Sequence, residues 1–326
     1  MYKNKLAAVA ALGALSLVMS QAALCAYPER PIRVIVPFAP GGNVDLSARA
    51  MTPGMAELLG RSVVVDNRAG AGGAVGAEIV ASANADGYTL LVGSTGLLTI
   101  APLIFPKLQY DPVKNFSPIA LISDVPLVMM VNPASPAKTV KEFIALARSR
   151  SGQLTMASSG NFSTGQLAGA LFQGVTGTRL VHVPYKGASP AVVDLMGGHV
   201  DVMFDQLSSA IGHVRGGKLR ALAVTAKSRA PELPDTPTMG EAGAPGVEAG
   251  TFTAILAPAG TPTAIVAKLN TTVNQVLAGK AARESFAKLG AHLMDSTPQS
   301  AKQYILDELA KWRRVVRAAG IKPDVQ

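Results

Sequence analysis

Short apolar runs alternate with helix-length amphipathic segments along most of the chain. Such runs predict strands at residues 33–38, 62–66, 88–93, 127–131, 154–157, 180–183, 200–204, 221–224 and 251–258. Between them the pattern predicts helices at 43–59, from the turn at 68–76 through 83, and at 140–148, 166–172, 191–196, 265–277 and 301–319. Short strands alternating with helices are typical of parallel sheets, so the pattern predicts an α/β fold.

The first turn carries the clearest chemical signal. Residues 36–45, VPFAPGGNVD, lead from a buried strand through a glycine turn into a helix. Backbone N–H groups are free at a helix start, and the helix dipole favours negative charge there. Gly41 and Gly42 have no Cβ, so a ligand can approach the main chain closely. Apart from Asp45 the turn holds no acid, base or nucleophile, so we expect capture of a carboxylate rather than catalysis.

The first 26 residues have the order of a secretory signal peptide. Lys3 and Lys5 precede an apolar run at 6–19 and small residues up to Ala26. The run is shorter than the roughly 20 residues of a membrane span. We expect cleavage between Ala22 and Ala26 and a soluble periplasmic protein; lipidation of Cys25 is the alternative.

Composition narrows the function further. About 300 residues remain after the leader, which predicts two domains. Cys25 is the only cysteine, which excludes disulfides, thiolate metal sites and a cysteine nucleophile from the mature chain. The net charge is +9, but aromatic residues make up only 5%, which is unfavourable for nucleic-acid binding. A modest positive field that attracts small anions fits better.

Three patterns resemble catalytic or cofactor motifs without matching them. Residues 158–165, SSGNFSTG, have one residue too many for a Gly-x-Ser-x-Gly nucleophile elbow, so helix capping and anion binding fit the hydroxyls better. The glycines of 70–76 have the wrong spacing for a dinucleotide turn. None of the four histidines is paired with another at metal-ligand spacing. We therefore expect no enzyme activity, no metal and no cofactor.

Seven collinear motifs resemble those of the Bug receptors, the periplasmic substrate-binding components of tripartite tricarboxylate transporters. They are YPERPIRVIVPFAPGG (27–42), VVVDNRAGAGG (63–73), ADGYTLL (85–91), HVPYKGASPA (182–191), GGHVDVMFDQ (197–206), GKLRALAVT (217–225) and LAPAGTP (256–262). The resemblance implies a two-lobe, type II-like periplasmic-binding-protein clamp (a Venus flytrap). Each lobe is expected to be a mainly parallel sheet flanked by helices, with lobe one at 27–123 plus 251–326 and lobe two at 124–250.

The resemblance also implies a ligand site between the lobes. A small organic carboxylate would be held mainly by main-chain and hydroxyl groups of facing turns and delivered by a monomer to the transporter's membrane subunits. Lobe one is expected to contribute Phe38, Ala39, Pro40, Gly41, Gly42, Asn43, Asp45 and Thr95. Lobe two is expected to contribute Ser158, Ser159, Gly160, Asn161, Ser163, Thr164, Tyr185, Lys186, Gly187, Ala188 and Asp205.

Several alternatives remain open at this stage. Asp205 either pairs with a ligand ammonium group or orients a loop through backbone N–H groups. Asn43 replaces the small hydroxyl or glycine usual in the family, and Gln206 replaces a more familiar asparagine. Thr251 and Thr253 lie where relatives usually carry tryptophan, which would open that side of the cleft. Signalling to a membrane sensor kinase is the alternative function, and a secreted α/β hydrolase is a third. The identity of the acid is undetermined.

Overall fold

The structure is a computed structural model that describes residues 27–38, 40–105, 107–185 and 187–321. The predicted signal peptide at 1–26 and the candidate site residues Ala39 and Lys186 lie outside the described residues. Within the described ranges, no helix has the length and apolar character that a membrane-spanning helix requires.

Helices and strands alternate as the sequence predicts. The strands are β1 (Ile32–Val36), β2 (Val63–Asn67), β3 (Thr89–Ser94), β4 (Phe116–Val131), β5 (Thr155–Ser158), β6 (Val181–Pro184), β7 (Val202–Gln206), β8 (Arg220–Val224), β9 (Gly250–Pro258) and β10 (His292–Leu293). The helices are α1 (Asn43–Leu59), α2 (Ala74–Ala81), α3 (Ala101–Ile104), α4 (Val140–Ser149), α5 (Thr164–Thr176), α6 (Ala188–Gly197), α7 (Leu207–Arg215), α8 (Thr263–Ala278), α9 (Lys280–Lys288) and α10 (Pro298–Ala318). A π-helical turn, Gly96–Ile100, precedes α3.

Helix α1 differs from its prediction. Pro53 and Gly54 predict a kink or break near Met51, yet α1 runs as one helix through Pro53. It ends at Gly60, which adopts the left-handed conformation expected of a C-terminal cap. Met51, Met55 and Leu59 are buried in the core along one face of α1, and this packing accommodates the proline.

The sheet is mixed, which corrects the expectation of mainly parallel sheets. Its strand order is β2-β1-β3-β9-β4-β7-β5-β6, with β8 and β10 also paired to β4. β1 is parallel to β2 and β3, and β5 is parallel to β6 and β7. Every pairing of β4 and of β9 is antiparallel. The reason is that these strands carry the chain directly between the two parallel groups, without a helical crossover.

β4 changes partners along its length. From Phe116 to Pro126 it pairs with β9, and from Leu127 it pairs with β7 and β8. Pro126 lies opposite Gly250, the first residue of β9. The sequence predicts only residues 127–131 of this strand, because prolines and polar residues interrupt the apolar pattern before Leu127. Tertiary pairing with β9 overrides that local signal.

Helix α10 joins two apolar clusters. Ala301 and Ile305, near its start, pack in a cluster with β3 and β9 residues. Trp312, in its second half, is fully buried in another cluster with Phe143 and Phe172. The indole N–H of Trp312 donates to Glu308 at 3.0 Å, so its one polar group is satisfied.

We expect Trp312→Ala to lower the free energy of unfolding by about 3–5 kcal/mol, because it leaves a large cavity in a close-packed cluster. Arg313→Ala, on the exposed face of the same helix, should change it by no more than about 0.5 kcal/mol. Urea unfolding followed by circular dichroism measures both, since Trp312 is the only tryptophan and fluorescence would lose its probe. Equal stability of the two variants would show that α10 is not anchored by Trp312.

Candidate functional site

The turn between β1 and α1 presents free backbone at its exposed tip. Gly41 has φ +87°, in the left-handed region that favours glycine, whereas Gly42 has φ −79° and is the N-cap residue of α1. No side chain caps this helix among the described residues. The first N–H groups of a 17-residue helix therefore point towards the turn.

Asp45 organises this turn. Its carboxylate is 2% exposed and accepts hydrogen bonds from the Gly41 N–H at 2.9 Å, Asn67 Nδ2 at 2.9 Å and Arg49 Nε at 3.0 Å. Asn67 Nδ2 also donates to the Phe38 carbonyl at 3.0 Å. Burial acts to raise the pKa of Asp45, but hydrogen bonds from Arg49, Gly41 and Asn67 outweigh it and hold that pKa below its usual value.

The turn between β5 and α5 is closed by its own hydroxyl groups. Ser163 caps α5 by accepting from the Gln166 N–H at 3.3 Å, and its hydroxyl donates to the Gly160 carbonyl at 2.8 Å. Phe162 has φ +62°, which is uncommon for a bulky residue. Its ring packs edge-on against Phe105 at a centroid separation of 5.9 Å. The packed ring holds the turn in this strained conformation.

A serine–histidine pair lies beneath this turn. Ser158 Oγ is 2.7 Å from His182 Nε2, and Gln166 Nε2 is 3.2 Å from His182 Nδ1. Burial lowers the pKa of His182. Ser158 is fully buried, so its hydroxyl is not presented to a substrate and the pair serves to fix the turn.

The turn between β6 and α6 is hydrogen-bonded to the β5 turn. The Tyr185 N–H donates to the Ser158 carbonyl and the Gly187 N–H to the Ser159 carbonyl, both at 3.0 Å. Gly187, at φ +117°, is the N-cap of α6, and no side chain caps that helix in the described chain. The Tyr185 hydroxyl donates to Asp194 Oδ2 at 2.5 Å, and this bond raises the pKa of Tyr185 to about 12.

Two predicted site residues are bound to neighbouring backbone or side chains. The fully buried Thr95 hydroxyl donates to the Gly250 carbonyl at 3.2 Å and accepts from the Phe252 N–H at 2.8 Å, which joins β3 to β9. Asp205 is 7% exposed, and burial raises its pKa. The Ser209 hydroxyl donates to Asp205 at 2.6 Å.

Thr251 and Thr253 do not open the cleft as expected from the missing tryptophan. Both are buried. Gln206 Nε2 donates to the Thr251 hydroxyl at 3.2 Å, and the hydroxyl groups of Thr253 and Ser123 lie 2.9 Å apart. These hydrogen bonds connect β9 to β7 and to β4, so the two hydroxyl groups do not face an open side of the cleft.

The predicted site residues therefore divide by exposure. Four of the described ones are buried: Asp45, Thr95, Ser158 and Asp205. The half-buried ones are Phe38, Asn43, Ser159, Gly160, Ser163, Thr164, Tyr185, Gly187 and Ala188, and the exposed ones are Pro40, Gly41, Gly42 and Asn161. The structure joins the β5 and β6 turns directly by hydrogen bonds. Within the described ranges, none of the hydrogen bonds connects them to residues 38–43.

Several residues that shape these turns were missed from the sequence. They are Arg49, Asn67, Gln166, His182 and Asp194. The spacing of Asp45 and Arg49, four residues apart on a helix, was a signal for their ion pair. Nothing local marked Asn67 or His182, because tertiary structure brings them to the turns.

We expect Asp45→Asn to lower the free energy of unfolding at pH 7 by about 1–3 kcal/mol, because a charged acceptor of buried hydrogen bonds is lost. Because the pKa of Asp45 is lowered in the folded protein, its carboxylate stabilises the fold above its ordinary pKa of about 3.9. This contribution disappears as the pH falls through the lower pKa that Asp45 has in the folded protein. Urea unfolding at pH 7, 5 and 3 should therefore show that the difference in unfolding free energy between Asp45→Asn and wild type narrows only at the acidic end. A gap that stays constant with pH would contradict the role given to the Asp45 charge.

Comparison with known proteins identifies the family of this chain. A family model described as "Tripartite tricarboxylate transporter family receptor" matches residues 47–321. BugT of Bordetella pertussis is 40% identical over 297 residues, which cover 91% of this chain and 91% of BugT.

Two solved structures share the whole architecture. A protein of R. palustris, solved with adipate, is 37% identical with a TM-score of 0.80, and the match covers 91% of this chain and 100% of that one. MatC from Rhodopseudomonas palustris, with bound malate, is 37% identical with a TM-score of 0.74, and the match covers 89% and 100%. The sequence resemblance is thus confirmed, and the chain belongs to the receptor family of tripartite tricarboxylate transporters, with the two-lobe fold of periplasmic solute-binding proteins.

Proposed function

We propose that this protein binds a small organic carboxylate between its lobes, without converting it, and presents it to the membrane subunits of a tripartite transporter. Relatives solved with adipate and malate support a carboxylate ligand. The turns support binding rather than chemistry, because the Ser163 hydroxyl caps a helix and the Ser158 hydroxyl is fully buried. The uncapped starts of α1 and α6 supply N–H donors and positive helix-dipole ends.

The observation that carries the proposal is the side-chain amide of Asn43. Both of its polar atoms are inaccessible to solvent and have no hydrogen-bond partner in the described structure. Buried polar groups are nearly always paired, so an orphaned amide beside a free helix N-terminus indicates a missing partner. The hydroxyl of Ser47, one helical turn along the same face, is also buried and unpaired. A carboxylate on the Gly41–Gly42 turn would accept hydrogen bonds from the helix N–H groups and from Asn43 Nδ2.

Closure is proposed as a hinge motion of lobe two (124–250) against lobe one (27–123 with 251–326) in a monomer. The change of partners in β4 between Pro126 and Leu127 supports a hinge there, and Gly250 lies opposite Pro126. The free energy that drives closure comes from the ligand's simultaneous contact with turns of both lobes.

Thermal shift and isothermal titration with adipate and malate test the proposal, with the corresponding diamides as neutral controls. At about 100 times its dissociation constant, a ligand adds roughly 2.7 kcal/mol of stability, which raises the melting temperature by about 5–10 °C. The diamides should give no shift, because helix N-termini favour an anion. Amides that bind as strongly as the acids would contradict the anion site, and failure of both acids would require a wider carboxylate panel with matched amides.

Substitutions test the turn itself. Gly42→Val should abolish carboxylate binding, because a branched side chain blocks approach to the main chain, and Asn43→Ala should weaken it about tenfold. Gly212→Val is the matched control, since no atom lies within 4 Å of a Cβ built there. Circular dichroism confirms folding of each variant. Full binding by Gly42→Val would remove the first turn from the site.

Export to the periplasm, with cleavage between Ala22 and Ala26, is part of the proposal. The order of charged, apolar and small residues in the leader supports it. The mass of the protein purified from the periplasm should correspond to one of these cleavage sites. Retention of Met1, or the added mass of a lipid on Cys25, would contradict it.

A further inference from the structure

A second cavity, of about 1220 Å³, lies away from the turns described above. Its lining comes from α10, the C-terminal part of α5, the start of β9 and the strand pair β4–β10, and includes Asp124, Gly250, His292, Tyr304, Lys311 and Arg314. None of the predicted ligand-binding residues lines it. We name it the hinge cavity, because β4 and β9 meet at its base.

The hinge cavity is separated from the first site by packed structure. Helix α5 begins at the Ser163 turn, and the residues it contributes to the cavity, such as Val175, lie at its other end. At 1.5 Å per residue, its 13 residues span about 20 Å. Phe172 of α5 packs in the same buried cluster as Trp312.

Asp124 lies at the base of the hinge cavity. It stands opposite His292 of β10 and Phe252 of β9 in the sheet register. Directly opposite residues share a face, and Phe252 packs edge-on against Tyr304, so this face is turned towards α10. The Asp124 carboxylate lies against Gly250, where a Cβ would collide with both of its oxygens. Glycine therefore creates the space that the carboxylate occupies.

No hydrogen bond to this half-buried carboxylate is formed within the described ranges. Burial raises the pKa of the Asp124 carboxyl to about 6. The negative charge of Glu308 adds to this increase, and the positive charge of Lys311 opposes it. Lys311 is committed to Glu308 through a 2.5 Å hydrogen bond. A half-buried carboxylate without a donor of its own can accept a hydrogen bond from a ligand ammonium group.

Positive charge also lines the hinge cavity. Arg314 is six residues beyond Glu308 on α10, which places it about 9 Å further along the helix axis. Arg179 lines the same cavity. Both arginines are exposed, and in the described chain neither is ion-paired with an acidic side chain. Leu171, Val175 and Val315 add apolar lining to the same cavity.

We propose that the hinge cavity is a second ligand site, for a small zwitterion with an ammonium group and a carboxylate group separated by several methylene groups. The ammonium group bonds to Asp124 and the carboxylate to Arg314. Because the cavity walls come from both sides of the partner change in β4, its occupancy is linked to the hinge.

Isothermal titration with 6-aminohexanoate tests this site, with hexanoate and hexylamine as probes that each lack one charge. Saturable binding is expected for the zwitterion in wild type and also in Gly42→Val, whose first site is blocked. Asp124→Asn should weaken it at least tenfold, whereas Asp307→Asn, on the exposed face of α10, should leave it within twofold. Arg314→Gln should weaken it about tenfold, and Arg313→Gln is its matched control.

Three outcomes would overturn the proposal. The first is no saturable binding of 6-aminohexanoate to wild type. The second is binding that Gly42→Val abolishes and Asp124→Asn leaves intact, which would place the zwitterion in the first site. The third is binding of hexanoate as strong as that of the zwitterion, because the ammonium group would then contribute nothing. All variants are first checked by thermal unfolding, so that loss of the fold is not mistaken for loss of the site.

Discussion

The antiparallel pairing of β4 with β9 is the constraint on which the rest of this structure depends. β9 joins β3 on one side and β4 on the other, and β4 continues past Pro126 to pair with β7 and β8. Each parallel group of strands is therefore attached to the other through these two strands. The glycine-containing turns follow the carboxyl ends of the parallel strands, where open α/β sheets bind ligands. The position of the proposed site is a consequence of this pairing.

Buried polar groups give the turns their shape. Asp45 holds the first turn through hydrogen bonds with Gly41 and Asn67, while Ser158 and Ser159 accept hydrogen bonds from the β6 turn. These groups are satisfied by the protein itself and do not require a ligand. Those left without a partner, above all the amide of Asn43, are the ones a ligand can satisfy. A polar group that the protein itself satisfies supports the turn, whereas one without a partner is available to a ligand.

The sequence predicts those features that local chemistry encodes. Uninterrupted apolar runs mark β1, β3 and β7, and the glycine turns indicate where helices begin without side-chain caps. The sequence pattern does not predict the first half of β4. Pro118, Ser123 and Pro126 interrupt its apolar pattern, and the strand is stabilised by its pairing with β9. The placement of Asn67 beside the first turn was missed for the same reason. Contacts between distant segments are not recorded in any local pattern.

The position of β9 in the sheet also determines the order in which this chain can fold. β9 separates β3 from β4, so the first three strands cannot join the rest of their sheet before residues 250–258 are in place. The segment that carries β5 to β8 is continuous and can assemble its parallel strands earlier. Residues 301–316 complete both neighbouring apolar clusters last. A chain in which α10 has not yet packed therefore keeps apolar surface of both clusters exposed, and that surface is available to chaperones.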